Sequence, residues 1–483
     1  MGRQRDTGLP VRPATWRQSV TPTAALPAAL RRGLGLVVRA RPASIAIAVA
    51  VAVVAWGITG TGVAGSGRPH ARATVIVPAS SPTSTTPATP VTTTTDSPAA
   101  AATPDSATPG LPSSGAPAAV PVASGRAPAV GSTIQAVGTH LVLSGSTYRF
   151  LGVNAYEAAT QWGTNAGCGA MLTDAQLDQL FSSLAPNSLV RIWAFQGSMA
   201  INVHTGQLDW GPLDRVFAAA AAHGQRLIAA LTDQGGTCDG DHWQDPSWYL
   251  GGFRSADDAP SRTGGSGLTP LSYWDYLQAV VSRYAASPAL GMWEPISEAE
   301  ASTCPPQDEP ADCGGHQTCP DESAAAEALR SFFDTVGGEI HTLDPRHLVE
   351  SGLLGGGQCG TRGADYQYVS ASPGIDVLSY HDYYGEAAMG GDRWNGVAVR
   401  LGQAAALGKP VIGGEVGMNA GTAPGCPSLT GRSGSFRAKV EAQLGAGSSG
   451  LLEWDWVPAP SSSCTSDVGP GDPLLMTARA GAA

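Results

Sequence analysis

A (β/α)8 TIM barrel of the α/β class is the fold this sequence predicts, and three observations point to it. Short apolar segments recur eight times beyond residue 147, helical stretches fill the gaps between them, and residues 132–483 form one unit too long for most other single-core domains. The chain has 483 residues, but the first 131 do not read as part of a packed core.

The eight strand segments, in order, are 148–156 (YRFLGVNAY), 188–195 (SLVRIWAF), 226–233 (RLIAALTD), 290–298 (LGMWEPISE), 347–354 (HLVESGLL), 376–384 (DVLSYHDYY), 410–418 (PVIGGEVGM) and 450–457 (GLLEWDWV). Between them, stretches such as 173–184, 211–224 and 323–340 place apolar residues at every third or fourth position, the helical period. The segment 141–150, with Ser-Gly-Ser at its turn, reads as a β-hairpin able to plug the bottom of the barrel.

Three segments precede the barrel. Residues 1–42 carry eight Arg against Asp6 and read as a cytoplasmic tail. The apolar run 43–64 is about one membrane span long. It is either a transmembrane signal anchor or a signal peptide, since Gly62-Val63-Ala64 resembles a cleavage site. Either way the remainder is expected to be extracellular, secreted or anchored to the membrane. Residues 65–131 read as a disordered linker, because from 74 onward they hold no aromatic residue and only Asp96, Asp105 and Arg126 as charges.

The net charge is −11 and nearly all the cationic charge is Arg, so once the basic tail is set aside the body is acidic. Such a surface argues against nucleic acid as a partner, and a monomer is expected. All eight Cys lie beyond the linker, and in an oxidising compartment they read as disulfides fastening the rim loops that follow the strands. At least one bridge should involve the long loop carrying Cys304, Cys313 and Cys319. Those three with His316 match no strong zinc spacing, and no metal or cofactor is expected.

In barrels of this class chemistry sits where the strands end. The fourth predicted strand ends at Glu298, the sixth at His381 and Tyr383, the seventh at Glu415, and the eighth carries Trp454 and Trp456, with Arg191 on the second. Two carboxylates on nonadjacent strands of one rim suit cleavage of a glycosidic bond, one protonated to serve the leaving oxygen and one ionised to attack.

The ordered set GSTYRFLGVNAY, VRIW, WEPISE, YHDYY, GGEVG and the Trp of the eighth strand resembles glycoside hydrolase family 5, the cellulase and β-mannanase family of clan A. The resemblance implies a retaining endo-β-glycosidase acting on a β-1,4-linked mannan or glucan, with Glu298 as general acid/base and Glu415 as nucleophile. It also implies that Arg191 and Tyr383 hold Glu415 ionised, that His381 contacts the sugar or the acid/base, and that Trp454 stacks on the sugar. Two positions depart from the family pattern. Ser297 stands where the family has Asn before the acid/base, and Ala299 where it has Pro; the shorter Ser297 is expected to reach a sugar hydroxyl only through water. A transglycosylase with the same site, and a catalytically degenerate carbohydrate-binding module, are the alternatives.

Other polar and aromatic residues have blander readings. Glu294 lies deeper on the same strand face as Glu298 and reads as a structural acid, Glu300 as a solvated loop carboxylate, and Arg191 as needing a carboxylate, with Glu415 the best candidate. Trp162, Trp243 and Trp248 are either packing residues or sugar platforms. The run 238–241 reads as a turn rather than a calcium loop.

Overall fold

The computed structural model describes residues 133–159, 171–196, 208–236, 243–255, 271–305, 313 and 317–480. The Arg-rich tail, the apolar run 43–64 and the linker 65–131 lie outside the described residues, as do Trp162 and the run 238–241.

Three short strands, β1 (Gln135–Val137), β2 (His140–Leu143) and β3 (Ser146–Tyr148), form an antiparallel meander. Eight parallel strands follow: β4 (Phe150–Asn154), β5 (Leu189–Trp193), β6 (Arg226–Ala230), β7 (Leu290–Glu294), β8 (Leu348–Val349), β9 (Leu378–Asp382), β10 (Val411–Gly417) and β11 (Gly450–Trp454). Their order is β8-β7-β6-β5-β4-β11-β10-β9, and a parallel bridge between Glu350 and Val377 joins the two ends. Each of the eight predicted segments holds one of these strands.

A helix follows each strand, as the alternating pattern requires. They are α1 (Asp174–Ser182), α2 (Gly211–Ala222), α3 (Tyr273–Tyr284), α4 (Glu322–Leu343), α5 (Asp365–Ser370), α6 (Val397–Leu407), α7 (Leu429–Gly445) and α8 (Pro473–Ala480). Their starts are set by local chemistry. At α1 the Thr173 hydroxyl accepts from the Gln176 backbone N–H at 3.2 Å while the Gln176 side chain accepts from the Thr173 N–H at 2.8 Å, a capping box that satisfies two otherwise orphaned donors. Among the described residues no helix is long and apolar enough to cross a membrane.

Strand alternation sends every second side chain inward. Phe150, Leu189, Ile228, Met292, Val377, Ile412 and Leu452 fill the lower interior, and Ile134, Leu141 and Tyr148 of the N-terminal segment pack against them from below. The predicted hairpin is therefore two arms of a three-stranded meander, and it closes the bottom of the barrel. Ser144 and Gly145, at φ 53° and 79°, make the β2–β3 turn with both central residues left-handed, the geometry that matches strand twist.

Three disulfides lie among the described residues: Cys304–Cys313, Cys319–Cys359 and Cys426–Cys464. All three fasten loops at the C-terminal ends of strands, and two involve the loop after β7. With those sulfurs paired, the zinc reading of Cys304, Cys313 and Cys319 is excluded. Cys168 and Cys238 lie outside the described residues.

Between strands and helices the layer is mostly apolar, with a few buried charges. The chain's only two lysines both serve it. Lys439 on α7 reaches both oxygens of Asp382 on β9, at 2.9 and 2.8 Å, and Lys409 donates to the carbonyls of Ser370, Ser372 and Ile375. Glu453 on β11 has no such match. It is fully buried, and neither carboxylate oxygen has a hydrogen-bond partner among the described residues. Burial drives its pKa well above the ordinary carboxyl range, only partly offset by Arg432. Such a group stays neutral in the fold while ionising freely in the unfolded chain, so it draws stability away as pH rises above the unfolded carboxyl value of about 4.3. Thermal melting of Glu453→Gln should accordingly fall less between pH 5 and pH 8 (on the order of one to a few degrees less) than melting of the wild type. A parallel pH dependence in the two proteins would contradict this account.

Candidate active site

The residues singled out from the sequence converge at the C-terminal mouth of the barrel. Arg191 is at their centre, extending from the inner face of β5 with 1% of its surface exposed. Its Nε and Nη2 clamp Glu294 of β7 at 2.5 and 2.6 Å, a bidentate pairing. Its Nη1 donates to Glu415 of β10 at 2.9 Å and to Asn154 of β4 at 3.0 Å, and its Nη2 also reaches the Ser297 hydroxyl at 2.7 Å. The expectation that Glu415 is the main partner of Arg191 is thus corrected. Glu294 takes the fork with both its oxygens, and Glu415 takes a donor of the remaining nitrogen.

The electrostatics follow from that clamp. Burial alone would push the Glu294 carboxyl up, but the guanidinium outweighs it and holds the pKa below the ordinary value. The neighbouring Glu350, also fully buried, is driven the other way by burial and by the charge and hydrogen bond of Glu294, so it stays protonated. Its second oxygen accepts from the Gly352 N–H at 2.8 Å. The Arg191 charge is itself fully retained, because Glu294 and Glu415 offset the cost of its burial.

Glu415 receives a second donor from across the strand. The Tyr383 hydroxyl donates to its Oε2 at 2.5 Å, so one oxygen faces a guanidinium and the other a phenol. Glu298 stands opposite with 19% of its side chain exposed, against 4% for Glu415. Its Oε1 lies 2.7 Å from Nδ1 of His381, and the same Nδ1 is 3.6 Å from Glu415. One oxygen of each carboxylate and a ring nitrogen of His381 all lie within 4.8 Å of one another. Glu298 has φ 57°, a left-handed conformation uncommon outside glycine, and its N–H donates to the Gly352 carbonyl at 2.7 Å.

Two irregularities in β10 and its neighbour make this arrangement possible. Ile412 points into the barrel, so strict alternation would turn Gly414 inward and Glu415 outward. The register slips between Gly413 and Glu415 against β9, and between Gly413 and Val416 against β11. This bulge adds one residue and lets Gly414 and Glu415 both face inward. A Cβ at Gly414 would sit 2.4 Å from Ser379 Oγ and 3.2 Å from His381 Nε2. Two residues past Glu415, a Cβ at Gly417 would fall 2.2 Å from the Tyr383 ring. Glycine at 417 thus gives a steric reason for the Glu-Val-Gly spacing, because the phenol must lie flat against the strand to reach Glu415.

Trp454 lies at the end of β11, half-buried, with the Tyr156 ring stacked on it at 5.4 Å and 7°. Trp193 at the end of β5 packs on both. Next to Trp454, burial and then the carboxylates of Asp467, Glu157 and Glu415 push Asp455 up to about 8. Asn154, Glu350, Asp455 and Gly414 were not singled out by sequence. The first three show there only as polar residues inside apolar strand segments.

One reading is corrected, and one left open is settled. Glu300 is buried rather than solvated: its carboxyl accepts from the Ser302 hydroxyl at 2.7 Å, its N–H donates to Gln234, and burial raises its pKa. Trp248 packs among Tyr249, Phe253, Tyr273 and Phe332, and the half-buried Trp243 donates its indole N–H to Ser302, so both serve packing. The Ser297 hydroxyl oxygen accepts directly from Arg191.

Among the described residues, two groups have spacing that a metal ion could span. In one, Cys319 and Cys359 are joined to each other by a disulfide. In the other, Glu298, His381 and Glu415, the guanidinium of Arg191 already lies on Glu415 and Nδ1 of His381 on Glu298, which suits proton transfer better than a cation.

No family model matches the chain. It is 26% identical over 319 residues to a protein of Aspergillus oryzae named probable mannan endo-1,4-beta-mannosidase F, covering 59% of this chain and 61% of that one. It is 25% identical over 297 residues to mannan endo-1,4-beta-mannosidase A of Podospora anserina, covering 55% and 68%. The chain thus spans about three-fifths of the length of the first of these curated relatives. Among solved structures, the endo-1,4-beta-mannanase of Rhizomucor miehei superposes with a TM-score of 0.52 at 18% identity, over 73% of this chain and 98% of that one, and shares the barrel fold. These likenesses bear out the resemblance to glycoside hydrolase family 5 carried by the motifs.

The bulge makes one expectation concrete. Gly414→Ala should force Ser379 and the His381 imidazole aside and pull Nδ1 from Glu298. With the glycosidase chemistry that the resemblance implies, turnover should then fall by up to about a hundredfold, the scale of a 1 Å misplacement. Thermal melting should show the variant still folded, and Ser379→Ala added to it should recover part of the loss. Full activity in Gly414→Ala would mean that the space is not needed.

Proposed function

We propose that this chain is a retaining endo-β-1,4-glycanase whose substrate is a β-1,4-mannan. The observation that carries the reaction type is the pair Glu298 and Glu415, whose oxygens approach within 4.8 Å. Retaining enzymes hold their carboxyl groups about 5–5.5 Å apart, whereas inverting ones leave about 6.5–9.5 Å for a water between them. Substrate choice rests on the names of the relatives, with β-1,4-glucan the comparison to be run beside mannan.

In this reading Glu415 attacks the anomeric carbon while Glu298 gives its proton to the departing oxygen. The C–O bond breaks as the ester to Glu415 forms. A water then enters, Glu298 takes its proton, and the new C–O bond displaces Glu415. Arg191 and Tyr383 aim two donors at Glu415 and fix the orientation from which it attacks. His381 Nδ1 lies 2.7 Å from the Glu298 oxygen and can accept a hydrogen bond from it when Glu298 is protonated or donate one when it is ionised, matching both halves of the cycle. Trp454 offers its free face to the sugar being cleaved. The Ser297 oxygen is committed to Arg191, so its own O–H remains to be directed at the sugar or at Glu415.

The expected setting is extracellular, with residues 43–64 serving either as anchor or as removed leader and 65–131 as a spacer from the membrane. The barrel is proposed to work as a monomer without a cofactor.

Proton NMR of the first product should show the anomeric configuration of the substrate, and initial release of the other anomer would sink the mechanism. Roles separate by rescue. Glu298→Ala should lose far more activity on polysaccharide than on an aryl glycoside with a good leaving group, and azide should restore its turnover to give a β-glycosyl azide. Azide with Glu415→Ala should yield the opposite anomer. If the Glu294 or Glu300 variant shows the first pattern instead, the acid/base has been misassigned.

A further inference from the structure

Trp394 has no part in the site so far described. It is 59% exposed, an uncommon position for so large an apolar ring. It lies in the segment after β9, on the same face of the barrel as the two carboxylates. The loop that carries it is firmly held. Asp392 Oδ1 accepts from the N–H groups of Trp394 and Asn395 at 2.7 and 2.8 Å, and Gly391 and Gly396 pair across its base. Asn395 Oδ1 in turn accepts from Arg400 at 2.6 Å and from the Gly363 N–H at 3.0 Å. The Arg393 guanidinium lies 4.7 Å from the indole centroid. A rigid loop therefore holds an aromatic ring in water, with little order left to impose when a ligand stacks on it.

Its position across the mouth is informative. In the closed eight-stranded sheet, β9 is four places from β5, so the two face each other across the opening. Trp193, Tyr156 and Trp454 occupy the β5, β4 and β11 side, and Trp394 extends from the β9 side. Glu298, after β7, and Glu415, on β10, lie between these aromatic groups in the strand order. By strand order, a chain laid from one group to the other would pass the carboxylates. On the glycanase reading, the end near Trp454 would belong to the sugar that Glu415 attacks, and the other end would leave with the proton of Glu298.

We propose that Trp394 is a distal sugar platform on the leaving-group side, stacking a pyranose residue of the β-1,4-linked chain beyond the sugar that first departs. The proposal rests on the glycanase reading and extends it to chain length. The stack uses the apolar C–H face of the sugar against the indole, and the direct consequence is that long substrates gain from Trp394 what short ones do not.

The test compares Trp394→Ala and Trp394→Phe with the wild type on soluble β-1,4-mannan, on mannohexaose and on an aryl β-mannobioside whose leaving group ends short of the loop. In Trp394→Ala the ratio of kcat/KM for mannan to that for the aryl substrate should fall about three- to tenfold, carried mainly by KM, while Trp394→Phe should keep most of it. Binding is read separately in Glu415→Gln, where Trp394→Ala should weaken mannohexaose affinity by a similar factor in calorimetry. An unchanged ratio, or an equal loss on long and short substrates, overturns the platform while leaving the glycanase reading intact. If wild type cleaves neither mannan nor glucan and Glu415→Gln binds neither, the glycanase reading falls and the platform with it.

Discussion

The guanidinium of Arg191 is the constraint on which the mouth of the barrel depends. It is buried on β5 and has partners on three other elements: Asn154 at the end of β4, Glu294 and Ser297 on and just after β7, and Glu415 on β10. A buried cation of this kind is tolerated only with its charge matched and its donors satisfied, and here two carboxylates supply more than that match. The excess is limited by keeping Glu350 neutral against Glu294. One cation thus holds Glu294 ionised and presents a donor to Glu415. The shape of the site and its charge state are set by the same five hydrogen bonds.

Regular strands could not have delivered those partners. Glu415 reaches the interior because β10 gains one residue at Gly414, and Tyr383 reaches Glu415 because Gly417 leaves room for its ring. Glu298 faces the same space from a left-handed backbone that an ordinary residue avoids. The bulge and the left-handed Glu298 break local rules of strand and backbone geometry, and both fall on or beside the carboxylate pair. The capping box of α1 and the left-handed turn of the meander, away from the mouth, follow the local rules. Exceptions beside a carboxylate pair are what a fold shows where chemistry rather than stability decides the residue.

What could be read from the sequence follows the same division. Period-two and period-3.6 patterns depend only on which face is buried, so all eight strand segments and the helices at 173–184, 211–224 and 323–340 were legible. Strand ends were legible too, and they brought Glu298, Glu415, His381, Tyr383, Trp454 and Arg191 to one rim. Pairing within the rim was not. Arg191 had several carboxylates within reach, and only the three-dimensional spacing shows that Glu294 takes the bidentate clamp. Glu300 looked like a loop carboxylate because nothing local reveals that Gln234, from the loop after β6, holds its backbone N–H, or that Ser302 donates to it. Trp248 offered an aromatic face equally suited to sugar or core, and two of the rings that pack on it, Tyr273 and Phe332, come from helices farther along the chain.

The rim raises a further question of energetics, because Glu298 must be kept in an unfavourable backbone conformation by the loops around it. Its N–H is held by the carbonyl of Gly352, a residue of the glycine-rich loop after β8, and three residues on, Ala301 donates to the carbonyl of Cys359 in that same loop. Cys359 is bonded to Cys319, which precedes α4 and belongs to the loop after β7. The segment carrying Glu298 is therefore tied to the loop after β8 by two backbone hydrogen bonds and one covalent bond. Glycine gives that loop the turns it needs, with φ positive at Gly352, Gly355, Gly357 and Gly360, but it also makes the unfolded loop more disordered. A cross-link counters that by restricting the unfolded chain. The barrel below is held by its apolar layers, and the three disulfides among the described residues all lie in loops at the strand ends, on the face that carries the carboxylate pair.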